Sequence, residues 1–248
     1  MNNGLYHGKF IGNTEKMSDE YYKLFVIVHK LAVCHDLIEG VWNHVSFEIP
    51  NTKNHILFTP GHTHWDLVNE NNITTLDNEG SIIAGENKIL PVAWKIHKPI
   101  HSINPDYRCL IHIHTPYITS TSIYGEFETR LTQHSSIFHN DVSYFNEYIE
   151  NIDDKEMYEL MAESIKGKRV LFLKNHGAII SGFTLGEAYM ATYLLEKACM
   201  YQCLTLNQSS NYQLIPESIV KRMKDNFFKN LCEKHFNGFL EYYKNKLT

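Results

Sequence analysis

The segment Arg108–Thr115 constrains the fold most, because it is an apolar strand that carries two histidines on one face. Its histidines, His112 and His114, are two positions apart. Successive side chains of a strand point to opposite faces, so both imidazoles project on one side while Ile111 and Ile113 project into the core. The two histidine Cα atoms then lie about 6–7 Å apart, close enough for both rings to meet one metal ion.

A third histidine follows a second apolar strand. The run Val170–Leu173 predicts the core of that strand, and His176 and Gly177 come shortly after it. Glycine permits a sharp turn, which would leave His176 at the strand tip. Ligands of α/β sheets usually bind at such strand ends. Taken alone, the pair His112 and His114 is typical of a half-buried strand with solvent-facing histidines. Taken alone, His176 is typical of a chance histidine in a turn. Together they predict three protein ligands, the pattern of a catalytic zinc site.

Short strands precede alternating helices and strands along the chain. The first strand-like runs are Val41–Ile49, His55–Thr59, Ile73–Leu76 and Ser81–Ile83. Helices are predicted over 91–103, 116–125, 153–166 and 184–206. We expect residues 1–17 to be irregular with a helix from Ser18, and a helical tail over 216–248 that can break at Gly238. This order predicts a single α/β domain over 1–248 with a mixed sheet and helices packed on it.

Composition argues against several classes of partner. The net charge of −5 provides no basic field for nucleic acid, and no apolar run is long enough to span a bilayer. The five cysteines form no CxxC pair, which indicates reduced thiols. The N-terminus lacks the basic and apolar regions of a secretory signal. We therefore expect a cytoplasmic protein whose partners include neither nucleic acid nor a membrane.

The histidine motifs and their surroundings resemble the class II aldolase/adducin family. The matching stretches are His112-Ile-His114-Thr-Pro-Tyr117, Asn175-His176-Gly177, Gly182-Phe-Thr-Leu-Gly-Glu187, Val45-Ser46, Phe58-Thr-Pro60-Gly61, Leu76-Asp77 and Pro105-Asp106. They run in order through roughly residues 20–210. The resemblance implies a three-layer α/β/α sandwich around a central mixed sheet, often assembled as a homotetramer. It also implies that the three histidines bind a divalent metal, usually zinc.

The sequence departs from the sugar-phosphate aldolases of that family at the proton and phosphate positions. Those enzymes carry an acid/base glutamate before a Trp-x-x-His segment, and this chain has Ala93 there. Two phosphate-holding serines are replaced by Pro91 and Val92, and an asparagine of the first phosphate loop by His44. The resemblance therefore extends to the metal ligands of the aldolase site but not to its acid/base residue or its phosphate-binding residues. This combination resembles the adducin-like branch, which contains decarboxylases and is named after a cytoskeletal protein.

Several polar residues near these motifs are candidates for substrate chemistry. His62 and His64 flank a Pro-Gly turn, where they could contact an anion or transfer protons near neutral pH, or simply belong to a solvated loop. Tyr117 could present its phenol to the site or be an ordinary helix-start aromatic. We predict these three as catalytic candidates. The predicted substrate-binding candidates are His44, Ser46 and Gly61.

Four further residues are predicted to have supporting roles. His97 and His101 are four positions apart on one helical face, with a proline between them, and we interpret both as structural. Glu187 is interpreted as part of a capping box with Thr184. Glu196 is interpreted as a packing or supporting carboxylate.

These features predict a metal-dependent lyase-like enzyme, of decarboxylase or aldolase type, for a small non-phosphorylated oxygenated substrate. One divalent ion, zinc first and Mn²⁺ or Fe²⁺ otherwise, would stabilise an enolate. The alternatives are a phosphate-independent aldolase, a non-catalytic adducin-like scaffold and a non-haem iron enzyme on the same fold.

Overall fold

An eight-stranded mixed sheet forms the centre of the protein. The computed structural model describes residues 14–52, 55–85, 88–151, 153–208 and 211–247. The strands are β1 (His44–Glu48), β2 (Ile56–Phe58), β3 (Thr74–Leu76), β4 (Ile82–Ala84), β5 (Cys109–Ile113), β6 (Val142–Phe145), β7 (Val170–Leu173) and β8 (Gly177–Gly182). Their order across the sheet is β4-β3-β2-β1-β5-β8-β7-β6. All neighbours are antiparallel except β6 and β7, which are parallel.

Helices cover both faces of this sheet. They are α1 (Thr14–Cys34), α2 (Pro91–Ile103), α3 (Pro116–Tyr124), α4 (Gln133–Ser136), α5 (Lys155–Ile165), α6 (Leu185–Gln208), α7 (Glu217–Asn226) and α8 (Cys232–Tyr243). A π-helical segment, Phe227–Leu231, joins α7 to α8. Within the described ranges, none of these helices has the length and apolar character that a bilayer span requires.

Alternation along the strands sends side chains into two apolar layers. Leu110 of β5 and Ile179 of β8 pack with α2 and α5 on one face. Ile111 and Ile113 of β5 pack with α1, α3 and α6 on the other face, as the alternating pattern predicted. The α/β fold with a mixed central sheet is therefore confirmed, and its two helical layers form the expected sandwich.

Element boundaries differ from the sequence predictions at several places. Helix α1 begins at Thr14, four residues before the predicted start, and residues 1–13 lie outside the described part of the chain. The helical tail does not break at Gly238, because α8 continues through it, and the irregularity lies in the π-helical segment instead. Three elements, α4, β6 and β8, were not predicted.

Candidate metal centre

The three predicted ligands meet at one end of β5. His112 lies in β5, His114 follows its last residue, and His176 occupies the turn between β7 and β8. Antiparallel pairing of β5 with β8, with Ile113 opposite Ala178, brings the turn to the histidine pair. One ring nitrogen from each histidine lies within 4.8 Å of the others. Burial decreases from His112 to His114 to His176, so the cluster opens to solvent on the His176 side.

Hydrogen bonds orient two of the imidazoles. His112 Nδ1 is 3.0 Å from the Ala178 carbonyl oxygen, and His114 Nδ1 is 2.8 Å from a carboxylate oxygen of Glu39. Both partners accept hydrogen bonds, so each Nδ1 carries the proton and donates it. In a neutral imidazole the other nitrogen then holds a lone pair. Both Nε2 atoms are thereby prepared as metal ligands, with the second ring nitrogen held by an outer group.

The donor set fits a divalent cation. The Nε2 atoms of His112 and His114 are 2.8 Å apart, so two lone pairs at this distance repel one another and a bound proton or metal cation would relieve the repulsion. Burial lowers the pKa of His112 well below its usual value, which keeps this ring in the neutral, metal-binding form. Three imidazoles suit zinc and also Fe²⁺ or Mn²⁺. Among the described residues, this cluster offers three histidine nitrogens that could hold an ion.

The backbone around His176 is shaped by its neighbours. Asn175 has a left-handed backbone, with φ of 56°, and the His176 N–H donates to the Leu173 carbonyl at 3.1 Å. A Cβ on Gly177 would lie 2.3 Å from the Ile113 carbonyl oxygen. Only glycine therefore lets this turn approach the end of β5. The sequence predicted a sharp turn at Gly177, and the left-handed residue of the turn is Asn175.

Glu196 anchors the chain just beyond the histidine pair. This buried carboxylate accepts hydrogen bonds from the Thr115 hydroxyl at 2.6 Å and from the Tyr117 and Ile118 backbone N–H groups at 3.2 and 2.9 Å. A carboxylate at the first turn of α3 satisfies free N–H groups and complements the helix dipole. Its supporting role fixes the segment that follows His114.

The predicted catalytic candidates have other contacts. His64 Nδ1 accepts the Asp66 backbone N–H at 3.2 Å, His62 has a left-handed backbone, and the Tyr117 ring packs against the main core. Within the described part of the chain, no hydrogen bond or ring contact joins these side chains to the three histidines. Their catalytic roles stay predictions. Gly61, a substrate-binding candidate, lies in a tight turn where a Cβ would be 2.6 Å from the Lys88 carbonyl oxygen.

His44 and Ser46, the other two substrate-binding candidates, lie in the interior, and their role in binding substrate stays a prediction. Both are buried, and both contact histidines of α2. His44 Nδ1 is 2.8 Å from His97 Nε2, and the Ser46 hydroxyl is 2.6 Å from His97 Nδ1 and 2.7 Å from His101 Nε2. Ser46 therefore has no free face for a substrate. The sequence missed this network, although an i, i+4 histidine pair opposite polar residues of a strand was its signal.

The position of the missing aldolase glutamate is apolar. Ala93 is buried in a small cluster with Ile56, Phe58 and Leu76, and Trp94 packs against it. An unpaired carboxylate would be expensive there. The apolar surroundings of Ala93 are therefore unsuited to an acid/base carboxylate.

A family model describes most of the chain. The class II aldolase and adducin N-terminal domain matches residues 23–203, which include all three histidines and the elements that carry them. The chain belongs to the class II aldolase/adducin family. Relatives of this chain are named both as aldolases and as adducins, so membership fixes the fold and leaves the reaction to be argued from the site.

Three relatives in sequence have different names. A Caulobacter vibrioides protein whose name places it among the class 2 aldolases is 27% identical over 193 residues, which cover 77% of this chain and 75% of the relative. A Streptomyces niveus protein named decarboxylase NovR is 30% identical over 49% of this chain and 45% of the relative. A Streptomyces roseochromogenus protein is named 4-hydroxy-3-prenylphenylpyruvate oxygenase/4-hydroxy-3-prenylbenzoate synthase. It is 29% identical over 56% of this chain and 50% of the relative. The chain spans about half the length of the two Streptomyces relatives.

Two solved structures share the whole architecture. An aldolase II superfamily protein from Pseudomonas syringae superposes with a TM-score of 0.84 at 20% identity, covering 95% of both chains. L-fuculose 1-phosphate aldolase from Glaciozyma antarctica superposes with a TM-score of 0.82 at 19% identity, covering 96% of both chains. At these identities the likeness concerns the fold alone.

Proposed function

We propose that this protein is a metal-dependent lyase that breaks a C–C or C–CO₂ bond in a small, non-phosphorylated oxygenated acid. The observation that carries the proposal is the convergence of His112, His114 and His176 on one point with a solvent-facing side. Three protein ligands and an open position distinguish a catalytic ion from a structural one.

The three histidines would hold one divalent ion, and we propose zinc before Mn²⁺ or Fe²⁺. Other groups of the chain would orient the histidine rings and transfer the proton. A bound ion supplies Lewis acidity, which stabilises the negative charge of an enolate oxygen. The Ala178 carbonyl and the Glu39 carboxylate hold two of the rings in ligand orientation. We propose His62, His64 or Tyr117 as the proton carrier in place of the missing glutamate.

The start of α2 supports a substrate without phosphate. The helix begins with Pro91, and its N-cap residue Leu90 makes no side-chain hydrogen bond to the helix. Val92 and buried Ala93 follow. None of these side chains offers the hydroxyl groups that bind phosphate in the resembling aldolases. Two relatives named as a decarboxylase and as an oxygenase/synthase are compatible with an acid substrate in this family.

Non-haem iron chemistry is the second candidate. Three imidazoles also suit Fe²⁺, and the Streptomyces roseochromogenus relative is named an oxygenase. An adducin-like scaffold is the alternative outside catalysis. We propose in addition that the protein is cytoplasmic and forms a homotetramer.

A panel of small acids tests the proposal. The protein is loaded in turn with Zn²⁺, Mn²⁺ and Fe²⁺ and incubated with 2-hydroxy-3-keto acids, which can lose CO₂ to give an enolate, and with 4-hydroxy-2-keto acids, which can release an aldehyde and an enolate. CO₂, aldehyde and O₂ are measured. We expect release of CO₂ or aldehyde, lost in His112→Ala, and no rapid cleavage of fuculose 1-phosphate. Rapid cleavage of the sugar phosphate would overturn the substrate class. Oxygen uptake with Fe²⁺ alone would favour the iron enzyme, and no turnover of any acid would favour the scaffold.

A further inference from the structure

The third candidate ligand has a less rigid position than the other two. His112 lies within β5, which pairs with β1 and β8 on its two sides, whereas His176 lies in a turn and is the most exposed of the three. The His176 ring centroid is 4.6 Å from that of His114 and 5.1 Å from that of His112. Turns are generally more mobile than central strands, so contacts from neighbouring elements matter most at His176.

Helix α3 makes such contacts with the backbone of His176. The Ser122 hydroxyl accepts the His176 N–H at 3.2 Å, and the Thr119 hydroxyl donates to the His176 carbonyl at 3.4 Å. The Ser122 carbonyl also faces the Asn175 N–H at 3.5 Å. Thr119 and Ser122 are three positions apart, so one face of the helix presents both side chains. The same helix therefore holds the N–H and the carbonyl of one ligand residue.

The direction of the Ser122 hydroxyl is fixed within α3. This hydroxyl donates to the Thr119 carbonyl at 2.8 Å. A hydroxyl has one proton, so its oxygen is left to accept the His176 N–H. Ser122 is 3% exposed, which limits replacement of this bond by water. The His176 N–H is shared with the Leu173 carbonyl at 3.1 Å, so loss of the hydroxyl would loosen the turn without leaving the N–H unpaired.

The other end of α3 is fixed beside the histidine pair. The helix begins at Pro116, two residues after His114. Glu196 of α6 holds this end through the Thr115 hydroxyl and two backbone N–H groups of the first turn. One short helix, anchored at its start, therefore joins the end of β5 to the turn that carries His176.

We propose that Thr119 and Ser122 are positioning residues that hold His176 in place, so that an ion is bound by three histidines and not by the pair on β5 alone. Both act on the backbone of His176, and neither is itself a candidate ligand. Loss of an outer contact typically lowers metal affinity by about 10–100-fold. The effect on an ion rests on the metal centre of the proposed function. The contacts between α3 and the turn rest on hydrogen bonds alone.

Amide hydrogen exchange of the full-length protein, followed by NMR in EDTA, tests these contacts without metal. Ser122→Ala should speed exchange at the His176 amide by about fivefold, as expected for the loss of one hydrogen bond. The matched control is Ser136→Ala, which removes a buried hydroxyl that donates to the Thr132 carbonyl at 2.8 Å in α4. This control should leave exchange at His176 unchanged. An unaltered rate in folded Ser122→Ala would overturn the proposal.

The half-buried residue Thr119 supplies a second pair of variants that depends less on core packing. Thr119→Val keeps the shape of the side chain and removes the hydroxyl, whereas Thr119→Ser keeps the hydroxyl. We expect Thr119→Val to speed exchange in the turn and Thr119→Ser to restore the wild-type rate. Equal rates in these two variants would show that the hydroxyl does not hold the turn.

Metal titration connects the contacts to the ion. Ser122→Ala and Thr119→Val should each weaken zinc binding by about tenfold, with Ser136→Ala and Thr119→Ser near wild type. The visible spectrum of bound Co²⁺, which depends on the number and geometry of its ligands, should shift in Ser122→Ala toward that of His176→Ala. Wild-type zinc affinity in folded Ser122→Ala would overturn the positioning role. If zinc affinity falls as expected while no acid is turned over, the proposed reaction is overturned and the positioning role stands.

Discussion

The Glu39 carboxylate accepts a hydrogen bond from Nδ1 of His114 at 2.8 Å, from a position 75 residues earlier in the chain. Glu39 lies between α1 and β1, and its side chain is 57% exposed. The contact fixes the His114 tautomer, with the proton on Nδ1 and the lone pair on Nε2. Outer carboxylates of this kind typically change metal affinity by about 10–100-fold.

Replacement of this outer carboxylate should weaken metal binding. Because the side chain is exposed, we expect Glu39→Gln to lower zinc affinity by about tenfold, the lower end of that range. Competition with a chromophoric chelator measures the change. The matched control is Glu241→Gln, an exposed glutamate paired with Lys244 in the C-terminal region. Equal affinities for the two variants would show that Glu39 does not support the centre.

Two glycines should respond oppositely to alanine. Gly177→Ala would place Cβ 2.3 Å from the Ile113 carbonyl oxygen and close to His114, so the turn that carries His176 must shift. We expect loss of metal and destabilisation by more than about 1 kcal/mol. Gly238 in α8 has nothing within 4 Å of an added Cβ, and Gly238→Ala should stabilise by about 0.5–1 kcal/mol. Urea unfolding compares the two, and similar effects at both sites would contradict this account.

A buried arginine links the end of the sheet to the C-terminal helices. Arg169 contacts Glu187 at 2.5 Å, Asp141 at 3.6 Å and the Ser181 carbonyl at 3.0 Å. Its guanidinium carbon lies 3.9 Å from the Phe228 ring centroid. The Glu187 N–H donates to the Thr184 hydroxyl at 3.1 Å, which is one half of the predicted capping box, while the Glu187 carboxylate contacts Arg169.

Loss of this arginine should be costly. Arg169→Met leaves the half-buried Glu187 carboxylate without its partner, while Asp141 keeps Lys224 at 3.0 Å, and we expect a loss of about 2–3 kcal/mol in the free energy of unfolding. The control, Lys155→Ala, removes an exposed pair with Glu159 and should cost about 0.5 kcal/mol or less. Urea denaturation measures both. A loss below about 1 kcal/mol for Arg169→Met would show that the cluster does not stabilise the fold.

Buried neutral histidines should make the fold acid-labile. Burial lowers the pKa of His29 to about 4 and of His101 to about 3, whereas unfolded histidine titrates near 6.5. Below pH 6.5 the unfolded state therefore binds more protons than the folded state. The free energy of unfolding falls as the pH is lowered, until the pH reaches the pKa values of the folded state. From pH 6.5 to 4, His29 alone contributes a loss of about 3 kcal/mol.

The acid effect is measured by urea unfolding in EDTA at pH 7.5, 6 and 5, so that metal binding does not contribute. Stability should be flat above pH 6.5 and fall steeply below it. His29→Gln should reduce the slope of the unfolding free energy against pH by an amount that corresponds to about one proton. A constant free energy of unfolding down to pH 5 would contradict the depressed histidine pKa values.

The sequence predicted elements whose local patterns were strong. Helix α2 and strand β7 have the predicted bounds, because a proline marks the helix start and an uninterrupted apolar run marks the strand. Strand β8 was missed because Gly-Ala-Ile-Ile-Ser-Gly has glycines at both ends, which weaken any strand pattern. It forms because β5 and β7 pair with it on both sides.

The candidate site was predictable only where spacing is local. The two-residue spacing of His112 and His114 can be recognised within one strand, and the turn before Gly177 can be recognised within a few consecutive residues. The contact of Glu39 with His114 and that of His44 with His97 join positions 75 and 53 residues apart. Such contacts depend on how helices dock on the sheet, which no local pattern encodes.

Elemental analysis tests the central claim, a three-histidine metal centre, most directly. The protein is purified without added metal, dialysed against zinc and desalted. Zinc per chain is then compared among wild type, His176→Ala and His134→Ala. The control residue His134 packs on Tyr201 and is not part of the cluster. We expect about one ion per chain in wild type and control and almost none in His176→Ala, with all three folded. An equal zinc content in His176→Ala and wild type, or no zinc in any of them, would contradict the account.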